Sequence, residues 1–289
     1  MLLLDGKATA AAIRAELAEE ITLLTAKAGR RPGLAVILVG DDAASATYVR
    51  NKERACWEIG LLSEVIRLPA DTGQGELLAI IDGLNRRPDI DGILLQLPLP
   101  RGLDSHPCLE AIAPGKDVDG FHPDNMGRLV LDLPGLRPCT PAGVLELLAR
   151  YNLPTEGKKA VVIGRSNIVG KPLSTMLSAK GKFADATVTV CHSRTPDIAA
   201  VTSDADFLFV AMGRPGFVTG DMVKPGAVVV DVGINVTPQG LRGDCDFASV
   251  SKVASALTPV PGGIGPMTIA MLLHNTVQAF KARESTSKA

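Results

Sequence analysis

Six consecutive apolar residues, Leu34-Ala35-Val36-Ile37-Leu38-Val39, stand between Gly33 and Gly40. The run has the length of a strand, and successive side chains of a strand point to opposite faces. Apolar residues on both faces require a sheet covered on both sides, which is the condition of parallel α/β architecture. The neighbouring sequence supplies the covering helices. Residues 7–28 place Ile13, Leu17, Ile21 and Leu24 at helical spacing and stop at Gly29. The same reading predicts a helix over 45–59, a strand over 64–68, a helix over 74–86 and a strand over 91–97. The fold class is α/β.

Between 98 and 142 the pattern breaks. Pro98, Pro100, Pro107, Pro114, Pro123, Pro134, Pro138 and Pro141 interrupt any long element, so the segment reads as loop and crossover, with the domain boundary near 120–145. Alternation resumes at Ala160-Val161-Val162-Ile163 and continues through strands near 186–191, 206–211 and 227–232. A Gly/Pro-rich stretch, Thr258 to Pro266, precedes a final helix over 267–282 and a polar tail, 283–289, predicted to be disordered. At 289 residues, 46% hydrophobic and 21% charged, the chain has material for two cores. Aromatics make up 3%, so those cores are aliphatic. A net charge of −1 with interspersed signs gives no reason to expect nucleic-acid or membrane attraction.

The five cysteines, Cys56, Cys108, Cys139, Cys191 and Cys245, are scattered without a C-x-x-C pair. Neither a zinc site nor a disulfide framework is indicated, and buried free thiols in a reducing compartment are expected. Met1-Leu2-Leu3-Leu4 meets Asp5 too soon for a signal sequence, and no apolar run has the length of a membrane span. The expected location is cytoplasmic.

The strand at 160–163 runs into Gly164-Arg165-Ser166-Asn167-Ile168-Val169-Gly170 and then a helix. Strand, tight turn and helix N-terminus together present backbone N–H groups and a positive dipole end to a pyrophosphate. The turn departs from G-x-G-x-x-G: Ser166 stands in the place of the second glycine, and the last glycine comes one residue late. The next strand ends in His192-Ser193-Arg194, without the acid that selects the ribose 2′-hydroxyl of NAD. Arg165 and Arg194 match a 2′-phosphate instead, which favours NADP. The alternative is two solvated surface arginines.

In the helix at 45–59, a rotation of about 100° per residue puts Ser45, Tyr48, Val49, Lys52, Cys56 and Ile59 on one face. Lys52 therefore sits in the stripe that packs inward. Burial lowers an amine's pKa and suits it to proton transfer, whereas a snorkelling lysine would keep its ordinary value. Gln96, at the carboxyl end of the strand Gly92–Leu97, is positioned to bond Lys52 without adding a charge. In Lys116-Asp117-Val118-Asp119-Gly120-Phe121, one acid accepts from an amino-heterocycle while the other caps a turn. No His or Cys has ligand spacing beside them, so no metal is expected. His122, followed by Pro123, reads as structural.

These segments resemble, over nearly the whole chain, the bifunctional methylenetetrahydrofolate dehydrogenase/methenyltetrahydrofolate cyclohydrolase family. The carriers are Ala44-Ser45-Ala46-Thr47-Tyr48-Val49 with Lys52, Asp91 through Pro100, and Lys116 through Gly120. Pro138-Cys139-Thr140-Pro141, Gly164 through Gly170, Asp231-Val232-Gly233-Ile234-Asn235 and Thr258 through Thr268 complete the set. The resemblance implies oxidation of 5,10-methylenetetrahydrofolate with NADP, then hydrolysis of the methenyl product to 10-formyltetrahydrofolate. It implies an α/β catalytic domain (1–137 with 265–289) and a Rossmann-like NAD(P)-binding domain (138–264) with a mainly parallel sheet. The last helix would return to the first domain, with folate between the domains.

By motif match Lys52 is the main catalytic residue, Gln96 tunes it, Tyr48 lines the folate site and Asp119 holds the pterin. Ser45, Gly262, Gly263, Pro266 and Thr268 join the substrate-binding set. Thr140, Gly164, Arg165, Ser166, Ser193, Arg194 and Ile234 form the cofactor-binding set, and a homodimer is implied. Leu95 replaces a more usual Val, and no expected catalytic residue is missing. Two competing readings are an NADP-dependent dehydrogenase of a keto acid or shikimate-like alcohol, and a catalytically dead dinucleotide sensor. The set Lys52, Gln96 and Asp119 disfavours the first, and intact Lys52 and Gln96 disfavour the second, since a sensor has no use for a buried lysine. Trp57 projects to the polar face of its helix, where packing under a neighbouring loop is expected.

Overall fold

The computed structural model describes residues 1–286. The chain opens with β1 (Leu2–Leu3) and α1 (Gly6–Ala28), then β2 (Gly33–Val39), α2 (Ala43–Glu58), β3 (Leu62–Leu68), α3 (Gln74–Arg86) and β4 (Gly92–Leu95). Three helices follow, α4 (Ser105–Ala111), α5 (Pro123–Val130) and α6 (Cys139–Arg150). Next come β5 (Lys159–Ile163), α7 (Gly170–Ser178), β6 (Thr187–Cys191), α8 (Ile198–Thr202), β7 (Phe207–Val210) and β8 (Val228–Asp231). The chain ends through β9 (Asn235–Thr237), β10 (Gly240–Arg242), α9 (Phe247–Val250), β11 (Ala256–Leu257) and α10 (Ile264–Thr286). It forms two compact units, one of residues 1–11, 129–133 and 140–268, the other of residues 12–128, 134–139 and those from 269 onward.

The second of these units holds a parallel sheet in the order β3-β2-β4. All seven residues of β2 are buried, as its two-sided apolar run requires. Leu77, Ile81 and Leu84 of α3 cluster with Ala35, Ile37, Val39, Ile93 and Leu95; full burial of each such side chain stabilises the fold by roughly 1.5–3 kcal/mol. The first residue before β4 is Asp91, fully buried. Its carboxylate accepts from Arg30 Nη1 at 2.7 Å and Nη2 at 3.0 Å, from Arg283 Nη1 at 2.7 Å and from the Gly33 backbone N–H at 3.0 Å. One carboxylate thus ties β2 to α10. Lys116 donates to the carbonyls of Leu84 and Arg87 at 2.9 and 2.7 Å, a cation at the carbonyl end of α3 where the helix dipole favours it.

The other unit carries a parallel sheet in the order β1-β11-β8-β7-β5-β6. Its central strands β5, β7 and β8 are buried almost throughout, with Val161, Ile163, Leu208, Val210 and Val229 in one aliphatic core. The edge strand β1 pairs with β11, and neither was expected, because two residues show no period. The antiparallel β9–β10 hairpin was also missed.

The stretch from 98 to 142 is more helical than expected. Pro107, Pro123 and Pro141 all fall in the first turns of α4, α5 and α6. There the missing N–H has no intrahelical acceptor to lose, so these prolines start helices rather than break them. The final helix also runs beyond its expected end. Lys281 pairs with Glu20 at 2.9 Å, Arg283 with Asp91, and Glu284 with Arg30 at 2.8 Å, so the segment expected to be disordered is helical through Thr286. The rest of that expected tail, 287–289, lies outside the described residues. Trp57 is not covered by a loop: its side chain is 68% exposed, one step around the helix from buried Cys56. All five cysteines are free and buried. Among the described residues no helix is long and apolar enough to cross a membrane.

Replacing Asp91 leaves two guanidinium groups and the Gly33 N–H without their common acceptor. Asp91→Ala is expected to cost about 2–4 kcal/mol, less than a fully buried pair because both arginines keep partial contact with water. Urea denaturation followed by circular dichroism measures it, and a midpoint equal to wild type refutes the assignment.

Candidate active site and dinucleotide site

Asp42 caps α2 by accepting from the Ser45 backbone N–H at 2.7 Å. The helix then buries Ser45, Val49, Cys56 and Ile59, with Lys52 half-buried among them. Tyr48, expected on the same stripe, is 40% exposed and marks its open border. Lys52 Nζ donates to Gln96 Oε1 at 2.9 Å. Gln96 stands just past β4, with its backbone N–H bonded to the Ile37 carbonyl at 2.9 Å. Its amide Nε2 donates to the Leu97 carbonyl at 2.6 Å, which turns the amide oxygen toward the lysine. Burial pushes Lys52 below the ordinary lysine value, opposed by the negative charge of Asp119. A neutral amide partner leaves that downward shift in place.

Of the two carboxylates of the 117–119 turn, Asp117 takes the turn-capping part. Asp117 is buried and accepts from the backbone N–H groups of Gly120 and His122 at 3.1 and 2.8 Å, and from Asn125 Nδ2 at 2.9 Å. His122 Nδ1 accepts from the Asp124 backbone N–H at 3.0 Å at the start of α5, a structural role. Asp119 is left for the site, with burial raising its pKa to about 6 and the Lys52 charge acting against that rise. Burial thus drives both members of the Lys52–Asp119 pair toward their neutral forms.

Two residues of this site were not singled out from the sequence. Cys139 Sγ lies 3.2 Å from the Val118 carbonyl, and its thiol is held well above its usual pKa by burial beside Asp119. Asn275, on α10, donates to the carbonyls of Val118 and Arg137 at 2.9 and 2.8 Å, fixing the chain on either side of Asp119 and Cys139. An asparagine inside the buried stripe of the last helix was the available signal.

The dinucleotide turn lies in the other unit. Gly164, at the end of β5, has φ +129°, and a Cβ there would stand 2.2 Å from the Ala211 carbonyl oxygen after β7. A Cβ on Gly170 would stand 2.1 Å from the Gly164 carbonyl oxygen. Glycine is required at both positions, and the result is a tight turn leading into the N-terminus of α7. Ser166 Oγ accepts from the N–H groups of Val169 and Gly170 at 3.2 and 3.4 Å, so its hydroxyl shapes the turn in a glycine's place. Arg165, Ser193 and Arg194 are exposed. His192 Nδ1 accepts from the Arg194 backbone N–H at 3.1 Å, which orders the turn after β6. A turn that admits no Cβ, a helix N-terminus and two accessible guanidiniums fit a phosphorylated dinucleotide.

The remaining expected residues also belong to this unit. Thr140 and Thr268 hydroxyls are 3.0 Å apart. Gly262 adopts φ +105° and accepts from the Lys7 N–H at 2.8 Å; a Cβ on Gly6 would meet the Gly263 oxygen at 1.9 Å. Pro266 is half-buried, and Ile234 is exposed just beyond β8.

Known proteins similar to this chain are numerous. The family model described as tetrahydrofolate dehydrogenase/cyclohydrolase, catalytic domain, matches residues 4–119, and its NAD(P)-binding domain matches 138–284. The bifunctional protein FolD of Nitratidesulfovibrio vulgaris strain DP4 is 71% identical over 98% of this chain and 99% of its own. A crystal structure of the bifunctional FolD dehydrogenase/cyclohydrolase from Campylobacter jejuni is 52% identical, with a TM-score of 0.95 over 98% of this chain and 99% of that one. The Trypanosoma brucei enzyme, solved with NADP cofactor and inhibitor, is 41% identical, with a TM-score of 0.92 over 98% of both chains. With the paired Lys52 and Gln96 in one unit and the glycine-dependent phosphate turn in the other, these matches show that the chain belongs to the tetrahydrofolate dehydrogenase/cyclohydrolase family.

Proposed function

We propose that the chain oxidises 5,10-methylenetetrahydrofolate with NADP and hydrolyses the methenyl product to 10-formyltetrahydrofolate, with Lys52 as the proton-transfer residue. The observation that carries this reading is the half-buried amine bonded to a neutral amide. NADP, when bound, supplies the hydride acceptor for the first step. The protein's contribution there is to bind and orient, since holding reactants in line replaces a bimolecular encounter. Gly164, Arg165, Ser166, Ser193, Arg194 and Ile234 hold the dinucleotide, with Thr140 close by. Arg165 and Arg194 pair with the 2′-phosphate, which an acid at the end of β6 would repel.

In the second step water attacks the cationic methenyl carbon. Neutral Lys52 accepts one water proton as the C–O bond forms and gives it to the ring nitrogen as the C–N bond breaks, while the remaining hydroxyl proton is released to solvent as the formyl C=O forms. Gln96 keeps the amine oriented and uncharged. Asp119 binds the ring N–H and amino group of the pterin, and Tyr48 and Ser45 line the substrate site with Gly262, Gly263, Pro266 and Thr268. For function, residues 1–137 with 265–289 are assigned to folate and catalysis and 138–264 to the dinucleotide, although β1 is part of the six-stranded sheet. Five free buried thiols suit a reducing cytoplasm. A homodimer is the assembly the family resemblance supports.

Following absorbance during incubation with methylenetetrahydrofolate and either NADP or NAD tests the reaction; no reduced dinucleotide and no methenyl product with both would sink it. Lys52→Met is expected to slow methenyl hydrolysis about 10²–10⁴-fold while NADP binding persists; an unchanged hydrolysis rate rejects the role given to Lys52. Arg165→Ala and Arg194→Ala should each raise the Kd for NADP about tenfold, roughly 1.4 kcal/mol, with NAD affected much less. Equal losses for the two dinucleotides, measured by calorimetry, would contradict phosphate recognition.

A further inference from the structure

The loops beyond β7 and β8 are tied to a single carboxylate. Asp244 is fully buried between β10 and α9 and accepts four hydrogen bonds. Its Oδ2 takes the backbone N–H groups of Met212 and Gly213 at 2.7 and 2.9 Å; its Oδ1 takes the Arg214 N–H and Asn235 Nδ2, both at 2.8 Å. Asp231, the last residue of β8, holds Asp244 in turn. It accepts from the N–H groups of Gly233 and Asp244 at 3.0 Å and of Cys245 at 2.8 Å. The packing leaves no slack: a Cβ on Gly233 would lie 2.3 Å from Asp244 Cγ, and one on Gly243 would lie 2.0 Å from Asp231 Oδ2.

These loops stand at the carboxyl edge of the sheet, where open α/β sheets bind ligands. The strand order places β5 between β6 and β7, so the two sides of the site diverge from β5. The 2′-phosphate of the adenosine half is read after β6, at Arg194. The nicotinamide half must then lie over β7 and β8, where residues 212–214 and 233–235 emerge. Gly164, packed against Ala211, joins that side directly to the phosphate turn.

Resting on the NADP reading above, we propose that Asp244, seated by Asp231, is a positioning residue that sets loops 212–214 and 233–235 to receive the nicotinamide half of the dinucleotide. The carboxylate converts flexible backbone into fixed N–H groups and fixed loop geometry before the ligand arrives, so less ordering is left to oppose binding.

Calorimetry on the full chain with NADP and with 2′,5′-ADP, which lacks the nicotinamide half, tests the proposal. Asp244→Asn keeps the shape but replaces one acceptor oxygen with a donor; Asn235→Ala removes one of the four bonds and disturbs the fold less. Asp244→Asn is expected to raise the NADP Kd about tenfold or more, and Asn235→Ala about threefold, from the loss of charge-assisted hydrogen bonds. The Kd for 2′,5′-ADP should stay within about twofold of wild type in both, since the adenosine side is untouched. If Asp244→Asn fails to fold and binds neither ligand, Asn235→Ala decides. Unchanged NADP affinity in the decisive variant, or equal loss of both ligands, overturns the proposal. The wild-type protein separates the two claims: if it binds neither ligand, the NADP reading itself has failed and this inference falls with it. Failure confined to the variants overturns this inference alone.

Discussion

The 2.9 Å hydrogen bond from Lys52 to Gln96 is the contact on which the proposed chemistry depends. An amine in an apolar helix stripe has two ways to be satisfied, by a carboxylate that would keep it charged or by a neutral acceptor that would not. Gln96 is the neutral acceptor, and its amide is turned by the Leu97 carbonyl so that oxygen faces the lysine. The loop after β4 therefore sets the proton affinity of a side chain on α2. Asp119 limits the effect: its charge favours the ammonium, while its own burial pulls it toward the neutral acid near pH 6. Between pH 3.8 and 6 this raised carboxyl pKa means the folded state binds more proton than the unfolded chain, so the Asp119 contribution to stability falls as pH rises through that window.

Both units use the same device to hold chain at the edge of a sheet. A buried aspartate collects backbone N–H groups that would otherwise be left without acceptors away from water. Asp117 does this beside Asp119, and Asp231 with Asp244 does it after β7 and β8. Functional side chains in loops need such fixed supports, because a loop has no ladder of its own.

The division between what was readable and what was not follows from the kind of partner involved. β2 was legible because its apolar run allowed one placement, and the Lys52–Gln96 pair because helix phase and strand end are both local patterns. α6 was obscured by Pro141, which is ordinary in a first turn but reads as a breaker when the helix start is unknown. β1 and β11 are too short to have a period. Cys139, Asn275 and Asp244 were missed because most of their partners are backbone groups, whose positions depend on the fold and carry no residue identity. The recognised motifs nevertheless contain two of the glycines that these contacts require, Gly120 beside the Arg137 carbonyl and Gly233 beside Asp244.

Burial favours the uncharged form of Lys52 over that of a free lysine. Titration of the Lys52 side chain by NMR, with carbon-13 at Cε and the Lys52→Met protein used for assignment, measures this directly. The expected midpoint lies below the ordinary 10.5 and moves upward when Gln96→Glu supplies a charge. A midpoint at or above 10.5 in the wild-type protein would contradict it.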